Sequence, residues 1–332
     1  MTIEVLRPGM LSTLQDRGRF GYQRYGVVVD GAMDELSHRV ANLLVGNDPD
    51  EATLELTLQG PDLLFAQECV IALAGAAMEM KTQGAHIPMY RPAWIGAGTR
   101  VGFGTASVGC RAYLAVAGGF AAAPVLGSRS TYLPGAIGGH EGRALRRGDV
   151  LSIGANASER VATLGKAIAS GRRSFAAARW FVASPVDLHA AAPIRVVRGR
   201  GWKIFGADGR RAFLASEFRI SAQSDRMGYR LEGAESALAH RMDLISEATS
   251  FGSVQVPPDG RPIVLMADRQ TTGGYPKIAE VIGADLPRLA QRRPGEVIRF
   301  ETIALDPAQA LLLEQDAALR RLGESVRAGW NS

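Results

Sequence analysis

The amino-acid sequence predicts a mainly β protein in two β-rich halves with a few peripheral helices, and three observations carry that expectation. Short runs rich in Val, Ile, Leu and Phe recur between Gly and Pro signals, which is how strands joined by turns read in sequence. Few stretches show helical periodicity. A turn-like segment near the end of the first half has a counterpart near the end of the second, as though one β domain had been duplicated.

Taken in order, the strand-like runs of the first half are Ile3 to Leu6, Thr53 to Leu58, Val70 to Leu73, Arg111 to Val116 and Val150 to Ile153. Between them, Ala32, Leu36, Val40, Leu43 and Leu44 recur at helical spacing and predict a helix from Met33 to Leu44 lying beside the sheet. From about Ala155 to Ala192 the composition shifts to Ala, Ser and Arg. The expected frame is therefore a β-barrel-sized domain over 1–155, a linker over 156–192, a second β domain over 193–305 and a helix over 306–332. Strands resume at Pro193 to Val197 and continue at Phe218 to Ser221, Ser253 to Val256, Ile263 to Met266 and Glu296 to Phe300. An amphipathic stretch from Pro307 to Arg327 closes the chain. The echo itself is Arg146-Arg147-Gly148-Asp149-Val150-Leu151 against Arg293-Pro294-Gly295-Glu296-Val297-Ile298. A fainter one sets Asp16-Arg17 and Gly21-Tyr22 beside Asp225-Arg226 and Gly228-Tyr229.

At 332 residues, with 46% hydrophobic and 21% charged residues, the chain can bury one large core or two ordinary ones unaided. Its formal charge of +5 is scattered, which argues against nucleic acid and suits small anionic ligands. Cys69 and Cys110 cannot build a disulfide framework. The N-terminus lacks a basic and apolar leader, and the apolar stretches are short and interrupted by glycine, so a cytoplasmic protein with no membrane segment is expected. His38, His86, His140, His189 and His240 lack ligand spacing, so no metal is expected. Walker A, G-x-S-x-G and H-E-x-x-H patterns are missing. Ala77-Met78-Glu79-Met80 resembles the tetrapeptide of biotin carriers, but Glu79 replaces the lysine that would carry the group, so no covalent biotin is expected here.

The densest polar loop is Gln270-Thr271-Thr272-Gly273-Gly274-Tyr275-Pro276-Lys277, directly after an apolar strand and Asp268-Arg269. Adjacent glycines let backbone N–H groups approach an anion, the threonines add hydroxyl donors and Lys277 adds a point charge. In Ser224-Asp225-Arg226, Asp225 suits a base or the orienter of one, and equally an Asp–Arg pair closing a turn. Ser128-Arg129 lies in another hydroxyl-rich, glycine-flanked loop that either holds a second anionic group or simply connects strands. Asp34 opens a helix, where complementing the helix dipole alone would explain it.

These segments together resemble the allophanate hydrolase subunit 2 family, whose members are also described as KipA-like proteins, biotin-dependent carboxyltransferases or C subunits of 5-oxoprolinase. The resemblance runs through Thr13 to Arg19, Gly31 to Asp34, Ala41 to Asn47, Leu54 to Thr57, Arg111 to Gly119, Leu126 to Tyr132, Ser224 to Gly228 and Gln270 to Ala279. It implies two cyclophilin-like β-barrel domains. It also implies a component of an ATP-dependent 5-oxoprolinase, which opens 5-oxo-L-proline to L-glutamate with a KipI-like B subunit and an A-type subunit, ATP being a co-substrate of the complex. Two other settings go with the family: carboxyl transfer from carboxybiotin to urea or another small amide, and non-enzymatic antagonism of a KipI-like kinase inhibitor. On the 5-oxoprolinase reading, Lys277, Asp225 and Asp34 are the catalytic candidates. Substrate contacts are assigned to Ser128, Arg129, Ser224, Arg226, Gln270, Thr271, Thr272, Gly273, Gly274 and Tyr275. The sequence departs from the family pattern at Val29-Asp30, where Val-Ser is expected, and at Gly199-Arg200-Gly201, where Gly-Pro-Gln is expected. If the latter segment borders the site, its arginine alters the choice of substrate or partner.

Overall fold

The computed structural model describes residues 1–154, 163, 165, 166, 168, 169, 174–189, 191–236 and 245–330. His240 and part of the expected 156–192 linker lie outside them. The chain is mainly β and forms two compact units, one of 1–19, 34–188 and 318–332, the other of 20–33 and 189–317. The units interleave in sequence where a continuous first domain was expected. Residues 20–33 join the second unit because Met33 is buried in its core and Asp30 pairs with Arg226 there.

The first unit contains β1 (Thr2–Arg7), β2 (Leu11–Gln15), α1 (Glu35–Leu44), β3 (Thr53–Thr57), β4 (Asp62–Phe65), β5 (Cys69–Thr82), β6 (Ala85–Ile87), β7 (Ala93–Ile95), β8 (Thr99–Val116), β9 (Val150–Ser152) and β10 (Phe175–Ala177). Its antiparallel sheet runs β10-β7-β5-β8-β4-β1-β9, with β3 also pairing with β8, β2 pairing with β3, and β6 pairing with β5. The long strands β5 and β8 are registered from Ile71 opposite Val116 to Lys81 opposite Gly102, with irregular steps between Gly75 and Met80. Such bulges bend a strand and increase its twist. Gly75 is required at the bend: its φ is 105°, and a Cβ there would stand 2.4 Å from the Arg111 carbonyl oxygen. Ile3, Val5, Leu54, Leu56, Leu63, Phe65, Leu73, Val101 and Leu114 fill the interior. Helix α1 starts at Asp34, whose carboxylate accepts from the Ser37 N–H at 2.9 Å and the Ser37 hydroxyl at 2.6 Å. A side-chain cap of this kind satisfies one of the helix's unpaired N–H groups.

The second unit contains β11 (Ile194–Arg198), α2 (Ala207–Ala215), β12 (Phe218–Ile220), β13 (Gly228–Glu232), β14 (Glu247–Ala248), β15 (Ser253–Gln255), β16 (Ile263–Leu265), β17 (Thr272–Gly273), β18 (Lys277–Val281), α3 (Leu286–Ala290), β19 (Val297–Ile298) and β20 (Phe300–Thr302). Its main sheet runs β19-β12-β13-β16-β15-β18-β11-β20, and β14 with β17 makes a separate two-stranded ribbon. Phe213 stacks on Phe300 at 4.6 Å between centroids, with Phe218 beside both. Helix α4 (Leu305–Gly329) follows.

The repeated segment is one turn built twice. Gly148 and Gly295 have φ of 90° and 89°. The Asp149 N–H donates to the Arg146 carbonyl at 3.2 Å, and the Glu296 N–H to the Arg293 carbonyl at 3.1 Å. Each glycine N–H donates to a neighbouring strand, Val5 at 2.8 Å or Ile220 at 2.7 Å, and that residue's N–H returns a bond to the Asp149 or Glu296 carbonyl. Positive φ at the third turn position is the reason for glycine.

Candidate functional site

In the second unit, β18 presents Lys277 beside Gln255 of β15. The segment 199–201 lies directly against the start of β18: the Gly199 N–H donates to the Ile278 carbonyl at 3.0 Å and the Gly201 N–H to the Lys277 carbonyl at 2.9 Å. A Cβ at Gly199 or Gly201 would stand 2.5 or 2.8 Å from the Lys277 carbonyl oxygen. Only glycine permits this approach on both sides of Arg200.

The result is a cavity of about 220 Å³ lined by Arg200, Gly201, Ile204, Ile245, Glu247, Gly273, Gly274, Tyr275, Pro276 and Lys277. Lys277 is 9% exposed. Its ammonium donates to the Ala248 carbonyl at 2.6 Å and stands 3.4 Å from Glu247 Oε2. Arg200 Nη1 is 3.6 Å from the same carboxylate oxygen. The β14–β17 ribbon sets Glu247 opposite Gly273 and Ala248 opposite Thr272, and the Thr249 hydroxyl donates to the Gln270 carbonyl. Gln270 Nε2 donates to Gln255 Oε1 at 3.4 Å. Gln255 is 2% exposed, and its own Nε2 has no hydrogen-bond partner among the described residues. That nitrogen would be 2.5 Å from a Cβ at Gly273, so the glycine leaves room above the amide. Thr271 is half-buried, whereas Thr272 and Tyr275 are exposed.

Thus Gly273, Gly274, Tyr275 and Lys277 share one cavity, with Gln270, Thr271 and Thr272 on the loop that walls it. The Ser224–Arg226 segment does not line it. Asp225 Oδ1 accepts from the Met227 N–H at 2.8 Å and the Gly228 N–H at 3.2 Å, closing its own turn. The Ser224 hydroxyl accepts from the Arg230 N–H at 3.0 Å. Arg226 is buried, forking onto Asp268 at 3.0 and 2.8 Å and reaching Asp30 at 2.9 Å and the Gly31 carbonyl at 2.6 Å. Two carboxylates and a carbonyl satisfy that guanidinium within the unit.

In the first unit, Ser128 and Arg129 are gathered on Asp16: the Ser128 hydroxyl donates at 2.6 Å and the Arg129 N–H at 2.5 Å. The Arg129 side chain donates to the Ala122 carbonyl at 3.0 Å and lies 3.6 Å from Glu51. Asp34 is fully buried at its cap; its N–H donates to the Tyr113 hydroxyl at 2.7 Å, which donates to Glu55 at 2.8 Å. Burial, with Glu55 and Asp34 adding to it, pushes the Tyr113 phenol well up. Both thiols are buried, and burial drives that of Cys69 up to about 12. Glu79 lies within β5. Among the described residues no cluster of His, Cys, Asp and Glu is arranged to hold a metal, and no helix is long and apolar enough to cross a membrane.

Glu247 and Gln255 are site residues absent from the candidates read from sequence. Glu247 sits in a strand of two residues, too short to show any alternation. Gln255 does leave a signal, a polar residue between the buried valines 254 and 256.

A family model for the carboxyltransferase domain, subdomains A and B, matches residues 25–302. The chain is 37% identical over 324 residues to the C subunit of 5-oxoprolinase from Haemophilus influenzae, covering 98% of each chain. It is 39% identical over 321 residues to the corresponding C subunit from Escherichia coli, covering 95% of this chain and 94% of that one. Among solved structures it is similar to the urea amidolyase of K. lactis, with a TM-score of 0.81 at 31% identity, over 96% of this chain and 20% of that one.

Proposed function

This chain belongs to the carboxyltransferase domain family that includes the 5-oxoprolinase C subunits, and from that membership we propose that it is the C subunit of an ATP-dependent 5-oxoprolinase. It acts with a KipI-like B subunit and an A-type subunit in the cytoplasm, opening 5-oxo-L-proline to L-glutamate. The observation that carries the reading is the small polar cavity with a nearly buried lysine, in a chain similar over almost its whole length to two 5-oxoprolinase C subunits. Pockets for drug-sized ligands run to roughly 300–1,000 Å³. A cavity of about 220 Å³ suits a five-membered lactam better than a nucleotide.

A lactam is inert until its oxygen is activated. Transfer of the ATP γ-phosphoryl group to that oxygen gives ADP and an activated imidate. One water adds to the imidate carbon and the ring nitrogen leaves as the amine, giving γ-glutamyl phosphate; a second water then cleaves that acyl phosphate to glutamate and phosphate. Lys277 binds the substrate carboxylate and so orients the lactam, while the backbone N–H groups of Gly273 and Gly274 stabilise the negative charge on the reacting oxygens. Gln270, Thr271, Thr272 and Tyr275 shape the cavity wall. Asp225 with Ser224 and Arg226, and Asp34 with the Ser128–Arg129 loop, act through the segments that they hold in place.

The test is ATP hydrolysis and glutamate formation by the three subunits mixed with 5-oxoproline. Omission of this chain is expected to abolish both. Undiminished turnover without it would refute the reading. Transfer of a carboxyl group to urea instead would favour the activity for which the similar urea carboxylase domains are named.

A further inference from the structure

Glu247 Oε2 stands 3.4 Å from Lys277 Nζ and 3.6 Å from Arg200 Nη1. Both separations exceed the roughly 2.7–2.9 Å of a charge-assisted hydrogen bond, so this carboxylate balances two cations without being locked onto either. Lys277 is almost fully buried, and a buried ammonium without a counter-charge is costly. Arg200 differs: its side chain is 83% exposed, and its place at the cavity is fixed by the backbone of Gly199 and Gly201 lying on β18. Glu247 itself is carried by the two-residue strand of the ribbon and is partly open to water.

We infer that Glu247 is a tethered stand-in for the ligand: a substrate carboxylate displaces it and is gripped by Lys277 and Arg200, so the cavity selects an anionic amide over a neutral one. The inference rests on the proposed role of this cavity as the substrate site and deepens it. A neutral ligand that pushed Glu247 aside would leave Lys277 uncompensated, whereas a carboxylate replaces the lost charge and can approach both cations to hydrogen-bonding distance. Selection therefore comes from a penalty on the wrong ligand as much as from attraction to the right one. Arg200 is the specificity-determining residue at the mouth and Lys277 the charge at the base.

The test is calorimetric titration of the full chain, alone and with its B-type partner, with L-5-oxoproline, its neutral carboxamide and urea. The acid is expected to bind about tenfold or more tighter than the carboxamide, as hydrogen bonds to charged groups allow. Arg200→Gln is expected to weaken the acid about threefold and leave the carboxamide unchanged, as for an exposed charge pair. Glu247→Gln is expected to tighten the acid severalfold by removing its competitor. Equal affinity for acid and carboxamide, weaker binding of the acid to Glu247→Gln, or no binding of the acid at all would overturn the inference. Turnover by the reconstituted complex is measured in parallel. If the acid binds as expected but is never turned over, the 5-oxoprolinase reading falls and the inference stands; if it is turned over without responding to Arg200 and Glu247, the reverse holds.

Discussion

Asp16 accepts a 2.6 Å hydrogen bond from the hydroxyl of Ser128, 112 residues further along the chain. The same carboxylate takes the Ser130 hydroxyl at 2.6 Å, the Arg129 N–H at 2.5 Å and the Gly18 N–H at 2.8 Å. Burial raises its pKa, but these donors outweigh burial and hold it below the usual carboxylate range. One ionised side chain thus shapes the whole Ser128–Ser130 loop. Asp16→Asn cannot accept from all these donors, and a buried donor left unpaired costs about 1–3 kcal/mol. A fall of that order in unfolding free energy, measured in denaturant, is expected. Because the folded pKa is depressed, the contribution is complete above the unfolded carboxylate value and disappears as pH drops through the folded one.

His38 titrates with the opposite charge. Burial takes its pKa from 6.5 down to about 4, against the opposing charges of Asp16, Asp50 and Glu55. The ring is fully buried, with Nδ1 2.8 Å from the Thr53 hydroxyl. Between pH 6.5 and about 4 the unfolded histidine takes up a proton while the folded one remains neutral. Stability is therefore full above the unfolded value and falls by about 3 kcal/mol across that window as pH drops. His38→Asn is expected to flatten this part of the stability–pH curve; an unchanged slope would assign it to other groups.

Arg226 tests the second unit. Removing one member of a buried ion-pair network leaves the others uncompensated and costs about 3–5 kcal/mol. Arg226→Met, which strands Asp30 and Asp268, is expected to lose that much in chemical denaturation. Arg226→Lys keeps the charge but not the planar fork and is expected to recover only part of it.

The paired turns make a matched prediction. Nothing lies within 4 Å of a Cβ built on Gly148 or Gly295, and their φ angles, 90° and 89°, are nearly the same. Alanine at either position meets backbone strain alone, and each variant is expected to lose about 1 kcal/mol, by the same amount within error. Clearly unequal losses in thermal melts would mean that the turns are not energetically equivalent.

Much of this architecture is legible in sequence because it rests on alternation and glycine. Thr53–Thr57, Val150–Ser152 and Ile194–Arg198 match the expected strands almost to the residue, and the Gly148 and Gly295 turns declare themselves by repetition. The strands β5 and β8 extend well beyond the expected runs, because Ala74-Gly75-Ala76-Ala77 in one and Gly102, Gly104, Ala106, Ser107 and Gly109 in the other put small residues where a strand is ordinarily branched or aromatic. Segments 20–33 and 34–44 are contiguous in sequence but belong to different compact units, which no local pattern encodes. In the cavity, the glycines and Lys277 are visible as a dense polar loop. Glu247 is not, since its position depends on a two-residue ribbon, and Arg200 stands out only as a departure from the family pattern.

The most direct test of the central claim is glutamate formation from 5-oxoproline by the complex reconstituted from all three subunits, with Lys277→Ala in place of the parent chain, alongside confirmation that the complex still assembles. Loss of the buried charge that holds the substrate carboxylate and orients the lactam is expected to reduce turnover about 10²-fold or more. Turnover within a few-fold of the parent, by an intact complex, would contradict the assignment of this cavity as the reaction site.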